Sequence, residues 1–230
     1  RYIDLTGGNP LLVPWLPEIL RLCNKIQLTS SITVSGPMIT QRMNDWGEEW
    51  LRLPNILRFS IDGTPDFHDA NRGKGFAQSV EDGLQIARRV CTYKKIQLIF
   101  TVIPGENGNL TRDNFASVLR LAREHAALVN VNPLFNATEL TSQEVHDLCW
   151  FARQADVQLS RGKLRFLLKG GNNRFHPTCK AAKAVLTISA DNKLALPCYH
   201  HPVIELPIGK ELRAILESRE RKMFLELSGQ

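Results

Sequence analysis

The sequence predicts an α/β protein built on a parallel sheet, and three observations carry that expectation. Short apolar runs of strand-forming residues alternate with amphipathic helical stretches five times between residues 2 and 155. The connections between them are short, as in successive βα units whose sheet is covered by helices. Polar and glycine-rich residues collect at the carboxyl ends of the strand-like runs, where ligand-binding residues gather in parallel α/β folds.

The elements follow in order. Residues 2–5 form a strand that runs into Thr6-Gly7-Gly8-Asn9-Pro10, and a helix with a proline near its first turn spans 15–24. Two adjacent glycines let the backbone come close to a ligand, because no Cβ stands in the way. A second strand spans 26–34, followed by a helix at 40–53 that carries Trp46 and Trp50 four residues apart. The third strand, 56–61, ends in Ser60-Ile61-Asp62-Gly63, and a long helix covers 76–90. A β-branched strand at 96–103 precedes Pro104-Gly105-Glu106 and a helix at 113–125. The fifth pair is a strand at 128–134 and a helix at 142–155. A doubly wound sheet and a (β/α) barrel both satisfy this alternation.

After residue 156 the rhythm changes. Lys169-Gly170-Gly171-Asn172-Asn173 reads as a loop, and two strands around Ala190-Asp191-Asn192 read as a hairpin. A final helix is expected over 210–227. The expected division is therefore a (β/α) core at 1–156 and a small C-terminal extension at 157–230.

Composition excludes several classes. No run approaches the roughly 18 apolar residues of a membrane span. The net charge of +6 comes from scattered basic residues with no aromatic-interleaved stripe, so a nucleic-acid partner is not expected. Five cysteines, an odd number, argue against a complete disulfide framework and for a reducing, cytoplasmic setting. Cys23, Cys91 and Cys149 sit among apolar neighbours and read as buried thiols.

Ser60 and Asp62 are two residues apart on a strand and so point to the same side. A hydroxyl and a carboxylate suit ribose hydroxyls or an ammonium, while Arg72 suits a carboxylate that it can grip with two N–H groups. The alternative is a local turn capped by His68.

The series Thr6-Gly7-Gly8-Asn9-Pro10-Leu11, then Ser60-Ile61-Asp62-Gly63 with His68-Asp69 and Arg72-Gly73, resembles the radical S-adenosylmethionine (SAM) superfamily, specifically members with a SPASM or shorter twitch extension. The resemblance implies a partial (β/α)6 barrel lacking its first βα unit. It implies SAM as cofactor, with Gly7, Gly8, Asn9 and Pro10 at its amino group and Ser60, Asp62 and Arg72 near its ribose and carboxylate. Asn9 stands where the family usually has Glu, which keeps an acceptor but removes the charge. The family's CxxxCxxC motif, whose thiolates hold a [4Fe–4S] cluster, is absent from the chain. Its absence, with a start at Arg1, gives the expectation of a truncated chain that cannot by itself cleave SAM.

Cys179 and Cys198 flank the hairpin with 18 residues between them. By the same resemblance they are ligands of an auxiliary [4Fe–4S] cluster. The intact protein would be an enzyme that forms a 5′-deoxyadenosyl radical and abstracts hydrogen from a small-molecule or peptide substrate, served by a reductant such as flavodoxin or ferredoxin. Two alternatives are a non-catalytic relative binding a nucleotide-like ligand or partner, and an unrelated enzyme using Asp62 and His68 as acid and base.

Overall fold

A computed structural model describes residues 1–92, 95–133, 140–168, 185–196, 203–209 and 211–227. The chain separates into two compact units, Arg1–Asn173 and Arg174–Gln230.

The first unit holds β1 (Tyr2–Leu5), α1 (Leu16–Lys25), β2 (Thr29–Val34), α2 (Ile39–Trp46), β3 (Ile56–Ile61), α3 (Pro65–Arg72) and α4 (Phe76–Val90). It continues with β4 (Ile96–Val102), α5 (Arg112–Glu124), β5 (Leu128–Pro133), α6 (Ser142–Phe151), β6 (Val157–Gln158) and α7 (Arg161–Leu167). All six strands form one parallel sheet in the order β1-β2-β3-β4-β5-β6. The order never reverses, so the sheet lacks the switch point of a doubly wound fold. Right-handed crossovers that all step the same way place the connecting helices on one face.

The register sorts the strand residues into two contrasting sets. Leu5, Ile32, Leu57 and Ile96 align across β1 to β4, and Val34, Phe59, Leu98 and Val129 align across β2 to β5. These side chains face the helices and, with Leu20 of α1, Leu84 of α4 and Phe115 of α5, form the core. Phe115 stacks on Phe151 with centroids 4.3 Å apart, and Phe100 meets both rings at 5.5 Å. Gly36 is fixed by close packing: a Cβ there would lie 2.2 Å from the backbone of Ser79 in α4. The other face of the sheet carries Tyr2, Asp4, Ser31, Arg58, Gln97, Asn130 and Asn132.

Several local expectations are refined. The helix expected over 40–53 breaks at Gly47 (φ 72°) into α2 and a 3-10 turn, Glu48–Arg52, and Trp46 packs edge-on against Trp50. The segment after Asp62, for which a local turn is the alternative reading, is the helix α3, with Thr64 accepting the Phe67 N–H as N-cap, Pro65 in the first turn and Gly73 closing it. Cys23 and Cys91 are buried and Cys149 is half-buried, all as free thiols.

The second unit contains a three-stranded antiparallel sheet, β7 (Thr187–Ile188), β8 (Lys193–Leu196) and β9 (Ile204–Pro207), and the helices α8 (Leu212–Leu216) and α9 (Arg219–Leu227). The expected hairpin is present, with Asn192 at φ 62° in its turn, and β9 adds a third strand. Leu194, Leu196 and Phe224 form its small core. The helix expected over 210–227 is interrupted near Ser218. Cys179, Cys198 and the loop at 169–173 lie outside the described residues. Among the described residues no helix is long and apolar enough to cross a membrane.

Candidate functional site

The carboxyl ends of the strands form a rim of loops held by side-chain amides. After β1, Gly7 (φ 82°) and Gly8 (φ 50°) turn the chain through the left-handed region, and no atom lies within 4 Å of where their Cβ atoms would stand. The pair is exposed, so the turn presents bare backbone to the outside. Asn9 Oδ1 accepts the Leu11 N–H at 3.1 Å, and its Nδ2 donates to Ser35 Oγ at 2.9 Å, which ties the β1 turn to the β2 turn. Pro10 is buried at the start of the following 3-10 turn.

After β3, Asp62 is fully buried. Arg72 grips it with two N–H groups, Nε to Oδ2 at 2.6 Å and Nη2 to Oδ1 at 2.9 Å, and Asn71 Nδ2 donates to Oδ2 at 2.7 Å. His68 Nδ1 accepts the Asp62 backbone N–H at 3.2 Å and lies 3.5 Å from Oδ2. Burial by itself would raise the Asp62 pKa, but His68, Arg72 and Asn71 outweigh it and hold the carboxyl far below the usual carboxylate range. Asp62 is thus a permanent buried anion whose partners all come from α3. Asp69, also on α3, accepts the Gly75 and Ala77 N–H groups at 2.6 and 2.8 Å and caps α4.

The β4 loop is fastened to this corner by Asn109, a buried residue that the sequence did not single out. Its Nδ2 donates to Asp62 O at 2.8 Å and Thr101 O at 2.7 Å, while its Oδ1 accepts the Ile103 N–H at 2.8 Å. Glu144 caps α6 through Thr141 and accepts the Gly105 N–H at 2.8 Å.

Below the rim, the polar face of the sheet carries two hydrogen-bonded clusters. Arg58 donates from Nη1 to Asp4 Oδ2 at 2.7 Å, from Nη2 to Tyr2 Oη at 2.7 Å and from Nε to Gln97 Oε1 at 3.2 Å. Ser31 Oγ donates to Asp4 Oδ1 and lies 2.5 Å from Tyr2 Oη. On β5, Asn130 Oδ1, Val131 O and Asn132 Oδ1 accept from Lys163 Nζ at 3.2–3.3 Å. Burial, and next the positive charge of Arg58, lower the Lys163 pKa.

The expected site residues therefore fall into distinct places. Gly7, Gly8, Asn9 and Pro10 form the β1 corner of the rim. Asp62 and Arg72 are bonded to each other at the β3 corner. Ser60 lies two residues back on β3, on the polar side with Arg58. Asp4, Arg58, Asn109, Asn130 and Lys163 are not singled out by the sequence, although alternating polar residues in Ile56–Ile61 and Leu128–Pro133 signal a second, hydrophilic sheet face.

The residues present can be weighed against SAM and an iron–sulfur cluster. The open glycine turn is a cradle that side chains would fill, and it fits a ligand's amino group approaching the backbone. The cluster does not fit the described thiols: Cys23 lies in α1, Cys149 in α6, and Cys91 donates its Sγ–H to Leu51 O. Among the described residues one other ligand-like group, Glu81, Glu124 and His125, lies on the helical layer, and Glu124 there is paired with Arg120.

Fold and site together define an α/β protein with a sequentially ordered parallel sheet, a glycine turn at its carboxyl edge and a hydrophilic sheet face. Its curated relatives are enzymes. The chain is 33% identical over 141 residues to a GTP 3′,8-cyclase of Microcystis aeruginosa, covering 59% of this chain and 42% of that protein. It is 29% identical over 141 residues to the GTP 3′,8-cyclase of Trichormus variabilis, with the same coverage. The chain thus spans less than half the length of the curated relatives it matches. Among solved structures, a domain of pyruvate-formate lyase-activating enzyme from Bacteroides vulgatus aligns over 68% of this chain and 98% of that one, at 16% identity and a TM-score of 0.48. Streptococcus suis SuiB aligns over 69% of this chain and 38% of its own, at 14% identity and a TM-score of 0.49. No known family profile matches the chain.

Proposed function

We propose that this chain is the core of a radical SAM enzyme, with SAM bound at the glycine turn and substrate on the hydrophilic sheet face. The observation that carries the reading is the Gly7-Gly8 turn, left-handed at both residues and open at the carboxyl edge of a sheet whose strands follow one another without reversal. The resemblance of its motif and the similarity to GTP 3′,8-cyclases support it. When bound and reduced by one electron from a [4Fe–4S] cluster, SAM would supply a carbon radical for hydrogen abstraction from a small-molecule or peptide substrate, with methionine as the other product. This chain's part is to hold the turn rigid through Asn9 and Ser35, and to position substrate against the polar array.

The architecture belonging to this reading is a partial (β/α)6 barrel. Its further βα unit, carrying the CxxxCxxC motif, would lie beside β1. That strand has a free edge among the described residues, and Leu12, Trp15, Leu22 and Ile26 in the segment that follows it are exposed apolar side chains. The 157–230 extension, with Cys179 and Cys198 as auxiliary-cluster ligands, is also part of the proposal by resemblance, as are a flavodoxin- or ferredoxin-type reductant and a cytoplasmic setting.

The test is to express the gene product with its natural flanking sequence, reconstitute it anaerobically with iron and sulfide, and measure 5′-deoxyadenosine release from SAM. Release that falls at least tenfold in Gly8→Val supports the reading. Absence of release from cluster-loaded protein rejects it and favours the non-catalytic binding relative, which the lack of converging thiols among the described residues would also suit.

A further inference from the structure

Away from the rim, on the helical layer, two neighbouring βα units bring a histidine and two carboxylates together. Glu81 comes from α4, Glu124 ends α5, and His125 is the residue that caps α5. One ligand atom from each, a ring nitrogen and two carboxylate oxygens, lies within 4.8 Å of the other two. Backbone bonds fix His125 in place. Its N–H donates to Leu121 O, and Ala126, at φ 48°, turns the chain so that the Ala126 and Ala127 N–H groups close on Arg123 O and Ala122 O. Three residues later β5 begins, so His125 stands at the amino end of the strands, opposite the glycine turn.

We propose that Glu81, Glu124 and His125 form a binding site for a divalent transition-metal ion of the Zn2+ class, which staples α4 to α5. The imidazole is 8% exposed, and its ring makes no hydrogen bond among the described residues, although it faces two carboxylates. A neutral imidazole has a nitrogen lone pair to give, and His is the commonest metal ligand. Two carboxylates held this close on different helices repel unless a positive charge stands with them. The carboxyl end of α5 adds to that preference, because a helix dipole favours a cation there. Arg120 donates to both Glu124 oxygens at 3.0 and 2.8 Å, but this pair is exposed and so weakly held. Each carboxylate oxygen keeps a second lone pair, so Arg120 competes for Glu124 without blocking it. One nitrogen and two oxygens suit Zn2+ and its neighbours, with water completing the shell, whereas Mg2+ asks for oxygen alone. The ion would take no part in chemistry at the rim. It would join the helices that follow β3 and β4 and stabilise the folded chain in proportion to its occupancy.

The experiment is calorimetric titration of the metal-free whole chain with Zn2+ and with Mg2+, in a Cys179→Ser, Cys198→Ser background that removes competing thiolates. Zn2+ should bind, and Mg2+ should bind at least roughly tenfold more weakly. Glu81→Gln and His125→Gln should each weaken Zn2+ by roughly tenfold or more. Arg120→Gln should tighten it roughly threefold, a gain that misfolding cannot produce. Zn2+ should also raise the melting temperature of the parent chain and leave that of Glu81→Gln where it was. Absence of Zn2+ binding overturns the proposal, as does Mg2+ bound as tightly as Zn2+, or Zn2+ affinity unchanged in Glu81→Gln or His125→Gln. SAM affinity, titrated separately, should be the same in Glu81→Gln as in the parent chain, so the metal site and the radical SAM reading stand or fall independently.

Discussion

The two faces of the six-stranded sheet are built from alternate residues of the same strands and have opposite physical characters. Leu57, Phe59 and Ile61 of β3 are buried under the helices, while Arg58 and Ser60 between them face the polar side. On the helical face, stability comes from apolar area removed from water and from tight packing. On the other face, polar groups that range from buried Ser31 to exposed Tyr2 are kept by mutual hydrogen bonds, which contribute little net stability, though a buried group left unpaired is costly. The first face makes the fold, and the second leaves directional groups available to a ligand.

That contrast can be broken most sharply at the packed face. Phe59→Ala should destabilise the chain by about 4 kcal/mol in urea unfolding, because it removes an aromatic side chain from between β3 and α4. Asp62→Ala should cost about 3 kcal/mol, the low end for a buried pair because Arg72 is partly exposed and can be rehydrated. The native pKa of Asp62 lies below that of the unfolded chain, so the unfolded chain takes the proton first as pH falls. Its stabilisation is complete above about pH 5 and is lost progressively below about pH 4. Asp62→Asn should remove this part of the acid sensitivity in pH-dependent melting.

Gly7→Ala forces a Cβ into left-handed backbone and should cost roughly 1 kcal/mol, with a larger effect on SAM affinity in calorimetry. Ser60→Ala, one residue from Phe59, should change stability by less than about 0.5 kcal/mol. A Ser60 substitution as costly as that at Phe59 would erase the distinction between the faces.

Most of the βα rhythm was legible because its signals are local. The strands Tyr2–Leu5 and Ile56–Ile61 and the helix Phe76–Val90 emerge where apolar periodicity placed them. The helix Pro65–Arg72 was also written locally, in Thr64-Pro65 and Gly73, but its first turns read equally as a loop rich in Asp and Pro. The strand Val157–Gln158 is two residues long and exists only because β5 offers an edge to pair with. At the site, Gly7, Gly8, Asp62 and Arg72 were readable as candidates, but the partner of Arg72 was not. It is an internal carboxylate ten residues away.

By itself, the sequence determined the alternation of strands and helices, the glycine turn after the first strand and the hairpin around Asn192. Each depends on residues within a few positions of one another, where side-chain periodicity and backbone sterics act directly. Only the tertiary structure decided the sequential strand order, the capture of Asp62 by α3 and the hydrophilic face of the sheet. Asp4 and Arg58 are 54 residues apart, and Lys163 reaches residues more than 30 positions before it. Such pairs are made by strand register and crossover handedness, which no local window of the sequence contains.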